Sequence, residues 1–423
     1  MKIKIILLSV FIFLGHSLSA QDDLSYYLET AAKNNPGLKA KFSEYMAALQ
    51  VVPQVGTLPD PQLAFGYFVL PIETRSGPQK FRISLTQMFP WFGTLGARED
   101  VAASRARAKY EVFEDYKSNL FFEVKATYYD LYFIGKGLEI TTENIRILES
   151  FRKLVLVKIK AGKASGVDQL RIEMDLADLE NDLAILRDKW NIALTQFNNL
   201  LNIDERIDVT IPDTLWQHDI PYSRDQILDS IKQNNRQLLK FDYLIESYRN
   251  SEQLARKSGL PSLSLGVDYI AVGKSDNNMV PSENNGQDAV LFPRIGITIP
   301  LYRKKYTAMV KEAIYMQDAS IEKKKEKTNL LENIFERTYY EYLDSQRRIS
   351  LYQDQKAYAR NAISILETEY ATVGKDFEEI LRMQKRLLKY SLELERSYSD
   401  KQSSIAFLRY LIGEKIYKNE NKK

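Results

Sequence analysis

The chain repeats itself, and that repetition constrains its fold more than any other feature. Leu28 and the run Asn34-Asn35-Pro36-Gly37-Leu38 return as Leu228 and Asn234-Asn235-Arg236-Gln237-Leu238. Leu58-Pro59 with Leu63 and Tyr67 returns as Leu260-Pro261 with Leu265 and Tyr269, and Thr127-Tyr128-Tyr129-Asp130 as Thr338-Tyr339-Tyr340-Glu341. Leu170-Arg171 and Leu200-Leu201 match Leu381-Arg382 and Leu411-Ile412 at the same offset as the Thr-Tyr-Tyr pair. Self-similarity at a fixed offset marks copies of one structural unit. The expected organisation is a first repeat over 21–202, a connector over 203–222 and a second repeat over 223–423. Each repeat reads helix, two strands, long helix, helix.

Residues 1–20 read as a secretory signal peptide: Lys2 and Lys4 precede an apolar run from Ile5 to Leu14, and small residues lead to Ala20. No later stretch reaches the roughly 20 apolar residues that a spanning helix needs. The chain has no cysteine, so disulfides, thiolate metal sites and a lipid-carrying N-terminal cysteine are excluded. With 59 basic and 56 acidic residues spread along it, the chain has no basic footprint for nucleic acid.

The strands carry the membrane argument. In Ser262 to Tyr269, Leu263, Leu265, Val267 and Tyr269 alternate with Ser262, Ser264, Gly266 and Asp268. Phe81, Ile83 and Leu85 alternate with Arg82, Ser84 and Thr86, and Ile295, Ile297 and Ile299 with Arg294, Gly296 and Thr298. A strand from Gln62 to Leu70 puts Leu63, Phe65, Tyr67 and Val69 on one face. This is the apolar-out, polar-in pattern of a membrane barrel strand, and also that of a soluble sheet packed on a helix. In the membrane reading, Leu63, Phe65, Ile83, Leu85, Leu265, Val267, Ile295 and Ile297 face lipid. Phe89, Trp91, Phe92 and Tyr302, just past the strand ends, suit an aromatic girdle. Known outer-membrane barrels have at least about eight strands, so the expected barrel has twelve strands from three chains.

The helices are long. No proline interrupts Gly96 to Gly162, a span close to 100 Å at about 1.5 Å per residue. Val167 to Leu201 carries heptads through Ile172, Leu176, Leu179, Leu183 and Leu186, whereas its counterpart after Gly374 has Ser397 and Lys401 at seam positions. Helices over Val167–Leu201 and Asp225–Lys257, stacked end to end, match the Gly96 helix in length. Lys304–Val373 is matched likewise by the C-terminal helix and by Leu24–Gln54. The expected fold is therefore α+β: antiparallel coiled-coil helices forming a hollow periplasmic cylinder, plus four transmembrane strands per chain. A solid coiled-coil bundle accounts for the heptads equally well but leaves the strands without a purpose.

Catalytic chemistry is hard to place. The two histidines are His16, in the signal region, and His218, in the connector, so a histidine metal site or a Ser-His-Asp triad has almost nothing to work with. There is no glycine-rich phosphate loop. Met174 and Met383 read as helix packing, because neither has a second methionine within a turn. No enzyme activity, cofactor or metal site is expected.

The duplicated layout, the run Gln87-Met88-Phe89-Pro90-Trp91-Phe92-Gly93, and the Gly-Lys turns leading into Asp168-Gln169-Leu170 and Glu379-Ile380-Leu381 resemble the TolC family of outer-membrane efflux proteins. The Phe-Pro-Trp-Phe-Gly run is similar in particular to its CusC- and CzcC-like heavy-metal branch. The resemblance implies a homotrimeric export duct in the outer membrane, contacting its lipid. Its implied partners are a periplasmic adaptor and an inner-membrane pump of the resistance-nodulation-division or another type. It also implies a gate at the periplasmic turns, here Gly162, Lys163, Asp168 and Arg171 with Gly374, Lys375, Glu379 and Arg382. Asp168 and Glu379 then form an acidic ring, or pair with Arg171 and Arg382 across neighbouring helices as a latch. The alternative reading is a periplasmic coiled-coil adaptor or scaffold without a barrel.

Overall fold

The computed structural model describes residues 19–413 apart from 205, 206, 217, 276–282, 284 and 373–376. Residues 1–18 of the expected signal peptide lie outside them. In chain order the elements are α1 (Ser19–Asn34), α2 (Pro36–Gly56), β1 (Gln62–Tyr67), β2 (Glu73–Thr74), β3 (Gly77–Phe89), α3 (Thr94–Lys160) and α4 (Gly166–Leu201). They continue with α5 (Arg224–Asn234), α6 (Arg236–Ser258), β4 (Ser262–Val272), β5 (Ala289–Thr298), α7 (Arg303–Thr372) and α8 (Phe377–Ile412). No helix among the described residues is long and apolar enough to cross a membrane.

The opening helix of each half, expected as one piece, is two. Both breaks fall on the second asparagine of the repeated Asn-Asn pair, between α1 and α2 and between α5 and α6. Pro36 disfavours helix at Asn35 and suits the first position of the next helix, and the Asn35 carboxamide oxygen accepts from Leu38 N at 3.0 Å as its cap. The carboxamide nitrogens then reach equivalent places. Asn35 donates to the Leu200 carbonyl at 3.2 Å and Asn235 to the Leu411 carbonyl at 2.9 Å. Each half thus ties the break in its first helix to the end of its last. Asn235 is 1% exposed, so Asn235→Ala strands a buried carbonyl and is expected to cost about 1–3 kcal/mol. Urea unfolding of the purified protein measures this, with Asn234→Ala, one residue away and exposed, expected to be near neutral.

Spatially the chain forms two compact units, and each draws on both halves of the sequence. One takes the described residues of Met1–Lys41, Phe113–Arg236 and Lys327–Lys423, the other Phe42–Val112 and Gln237–Glu326. The first unit has an aromatic core. Tyr27, Tyr128 and Phe197 meet there, with rings 5.0 Å apart for Tyr27 and Phe197, and Leu24, Leu28 and Ala31 of α1 pack on the same cluster at helical spacing. Val209 and Leu215 of the connector are buried in it. Gly135 makes room for the connector, since a Cβ there would lie 2.2 Å from Ile211 Cδ1. Lys401, out of place on an apolar seam, is buried on α8 with its Nζ 2.7 Å from the connector's Asp219. Hydrogen bonding to Lys401 holds that carboxyl below the usual carboxylate range. Ser399, also buried, donates to the Tyr129 carbonyl at 2.8 Å. Lys401 and Ser399 thus tie α8 to the connector and to the Tyr129 backbone.

The second unit contains the sheet. Its strands pair antiparallel in the order β1-β3-β4-β5, and β2 folds against the start of β3. The β1–β3 hairpin of the first half therefore joins the β4–β5 hairpin of the second at the β3/β4 seam.

Candidate functional site

Register decides which side chains share a face. Leu63, Leu85 and Val267 stand in one row, Phe65, Ile83 and Tyr269 in the next, and Leu265 opposes Ile295 as Leu263 opposes Ile297. All eight residues expected to face lipid thus lie on one side of one sheet. They range from 38% exposed at Ile83 to 75% at Ile295. A sheet packed on a helix would bury such a row; here it is uncovered.

The other side is polar and centred on Asp268, whose side chain is 1% exposed. Ser84 stands directly opposite it on β3. On the diagonals, Arg82 of β3 pairs with its Oδ2, and Arg294 of β5 lies 3.8 Å from its Oδ1. Arg294 also donates to Thr86 Oγ1 at 3.0 Å. The cluster spans β3, β4 and β5 and so bridges the seam between the two hairpins. Sequence reasoning placed these residues on the polar face but did not pair them. The available signal was the match of Arg82-Ile83-Ser84-Leu85-Thr86 to Arg294-Ile295-Gly296-Ile297-Thr298 around one carboxylate.

At one end of the sheet, Phe89, Leu263 and Ile297 align. Past that end the girdle candidates follow: Trp91 and Phe92 in edge-to-face contact at 6.0 Å, and Tyr302 four residues beyond β5. Phe92 and Tyr302 are exposed and Phe89 is half-buried.

The helix turns lie in the first unit. Gly162 has φ +67°, a left-handed conformation that suits glycine, and ends α3. Lys163 follows in the turn and is exposed. Ser165 caps α4, and Asp168 completes a capping box by accepting from Ser165 N at 3.2 Å. Gly374 and Lys375 lie outside the described residues. The arginine pairing differs from the expected latch. Asp168 and Glu379 pair with Arg171 and Arg382 along their own helices, at 3.6 Å for Asp168–Arg171. The link between helices is Arg171 of α4 to Glu378 of α8, at 2.8 Å. Residues three apart are neighbours on one helix face, so the acid-x-x-Arg spacing closes on itself and leaves the neighbouring Glu378 to reach across. Below the turns, Ile172, Leu176, Phe377 and Ile380 share a buried cluster with Leu148, Val155 and Tyr370. Lys158 donates to the Tyr370 carbonyl at 2.8 Å while sitting 3.4 Å above its ring, joining the ends of α3 and α7.

A small antiparallel sheet in a mostly helical chain matches the fold of TolC-like channel structures. The outer membrane protein VceC of Vibrio cholerae superposes with a TM-score of 0.75 over 93% of this chain and 97% of its own, at 14% identity. CusC superposes with a TM-score of 0.74 over 92% of each chain, at 17% identity. Residues 227–377 match the family described as outer membrane efflux protein. That match lies within the second half of the chain, and the structural neighbours are TolC-family channels. A toxin and drug export protein of Aggregatibacter actinomycetemcomitans is 21% identical over 276 residues, which are 64% of this chain and 58% of that relative. The match spans less than two thirds of that relative's length.

Proposed function

We propose that this protein is the outer-membrane export duct of a tripartite efflux or secretion system, receiving solutes from a periplasmic adaptor and an inner-membrane pump. The observation that carries this reading is the exposed apolar face of the β1-β3-β4-β5 sheet, together with its edges. Among the described residues β1 and β5 have no partner on their outer sides, and an open edge in lipid leaves backbone groups unpaired at several kcal/mol each. Three copies joined β5 to β1 remove every edge and make a barrel of twelve strands. The repeats over 21–202 and 223–423 then each supply one hairpin and one long helix pair, with 203–222 as the equatorial connector and the eight apolar residues against lipid. Family and neighbours are channel proteins rather than enzymes. The fold matches VceC and CusC alike, so a heavy-metal cargo has no support from it. The test is the mass of the protein–detergent particle: a trimer is expected, and a stable monomer with intact strand content would sink the proposal.

The turns are proposed as the periplasmic gate, with Arg171 and Glu378 as the bond that holds α4 to α8. Arg171→Ala is expected to raise the basal conductance of the reconstituted protein in planar bilayers. Arg382→Ala removes only a pair within one helix turn and is expected to leave it unchanged. Equal effects of the two would mean that these are ordinary surface charges.

A further inference from the structure

The second unit holds a groove that the export reading does not use. It encloses about 700 Å³ between α2, α3 and α6, within the size range of small-molecule sites. Its apolar floor includes Val51 and Val55 of α2, Val101 and Val112 of α3, and Leu254 of α6. From Val101 to Val112 it follows α3 for about 16 Å at the helical rise. Four basic residues also line it, Arg98, Arg105, Lys109 and Lys240, and no carboxylate does.

These cations are not spread evenly. Contacts along the helices set their level: Arg105 Nε donates to Ser247 Oγ at 3.3 Å, Asn250 to the Asp100 carbonyl at 3.3 Å, and Lys109 Nζ lies 3.0 Å from Glu44. Because α3 leads away from β3 and α6 runs toward β4, Arg105, Lys109 and Lys240 gather toward the end of the groove away from the strands. Val55, Val101 and Leu254 occupy the strand-side end, where Arg98 is the single cation among the lining residues. Glu44 meets part of the Lys109 charge, and Lys240 packs 4.7 Å from the Phe241 ring. The surplus is positive.

We infer that this groove binds an amphipathic anion, its aliphatic chain along the valine floor and its anionic head toward the end where Arg105, Lys109 and Lys240 gather. Apolar area accounts for the chain, and the surplus of positive charge in the lining selects the sign of the head. A free acyl anion from solution and an anionic phospholipid of the surrounding bilayer share this chemistry. The free-anion source stands on the groove alone, whereas the phospholipid source rests on the membrane reading proposed above.

The experiment titrates the purified full-length protein with spin-labelled laurate. In parallel, native mass spectrometry reads the phosphatidylglycerol retained after extraction from nanodiscs of phosphatidylethanolamine and phosphatidylglycerol. Saturable laurate binding at one per chain identifies a soluble ligand, and retained phosphatidylglycerol without laurate binding identifies a lipid. Either supports the site if Arg105→Glu with Lys240→Glu lowers affinity at least tenfold while Arg107→Glu, which lies outside the groove, does not. Val51→Trp, at an exposed part of the apolar floor, adds bulk to the groove without altering its charges and should weaken binding as well. No binding of either probe would overturn the inference. So would equal binding of a dodecyl ammonium cation, or insensitivity to the charge reversals in variants that keep the wild-type assembly state.

Discussion

Replacing Leu265 by arginine is expected to cost about 2–4 kcal/mol of membrane assembly, the range for a cation at mid-bilayer on a lipid-facing strand position. Leu265 sits mid-strand on β4, opposite Ile295 on the exposed apolar face. Its sequence neighbour Ser264 points to the other side, opposite Met88 and Gly296. Ser264→Arg is therefore the matched control: same strand, same added charge, opposite face. The measurement is the fraction of protein recovered as assembled, membrane-integrated particles. Equal tolerance of arginine at the two positions would mean that the alternation does not mark a lipid face.

The second large effect is expected at Asp268. Removing its carboxylate in Asp268→Ala leaves two guanidiniums facing each other across a buried site, a change that typically costs about 3–5 kcal/mol. Arg82 and Arg294 keep partial access to water, at 34% and 44% side-chain exposure, which places the expected loss toward the lower end. Thermal unfolding in detergent measures it. Adding Arg82→Ala should recover part of the loss, because the double variant no longer holds an uncompensated pair. Additive losses would show that the cluster is not coupled.

How much of this was legible in the sequence depends on the range of the interaction involved. The sheet faces were legible because a strand's side-chain period is two, so Leu265 and Ser264 are assigned to opposite sides by counting. The long helices were legible for a similar reason. Gly96–Gly162 was expected where α3 runs Thr94–Lys160, and Lys304–Val373 where α7 runs Arg303–Thr372. Ends were less so: the first strand was expected to reach Leu70 but stops at Tyr67, although Phe68 N still bonds the Lys80 carbonyl at 3.0 Å. The break at Asn35 had a local signal in Pro36, but the break at Asn235 precedes an arginine. Its explanation, the bond to the Leu411 carbonyl, lies 176 residues away. The same distance hid the roles of Lys401 and Glu378. Each looks like a misplaced or redundant charge until the segment facing it is known, the connector's Asp219 for Lys401 and α4's Arg171 for Glu378.

The joining of two hairpins in one chain has a consequence for stoichiometry. A half-length ancestor carrying one hairpin would need six copies to close the proposed twelve-stranded ring, with every seam formed between separate molecules. In the fused chain the β3/β4 seam is intramolecular and therefore independent of protein concentration, so in the proposed ring of three half of the hairpin-to-hairpin closures are secured before any encounter. Fusion also frees the halves to differ. By the offset that matches Leu63 with Leu265, Asp268 corresponds to Gly66, so one acid serves arginines contributed by both halves. Identical half-subunits would have to install that acid six times or not at all.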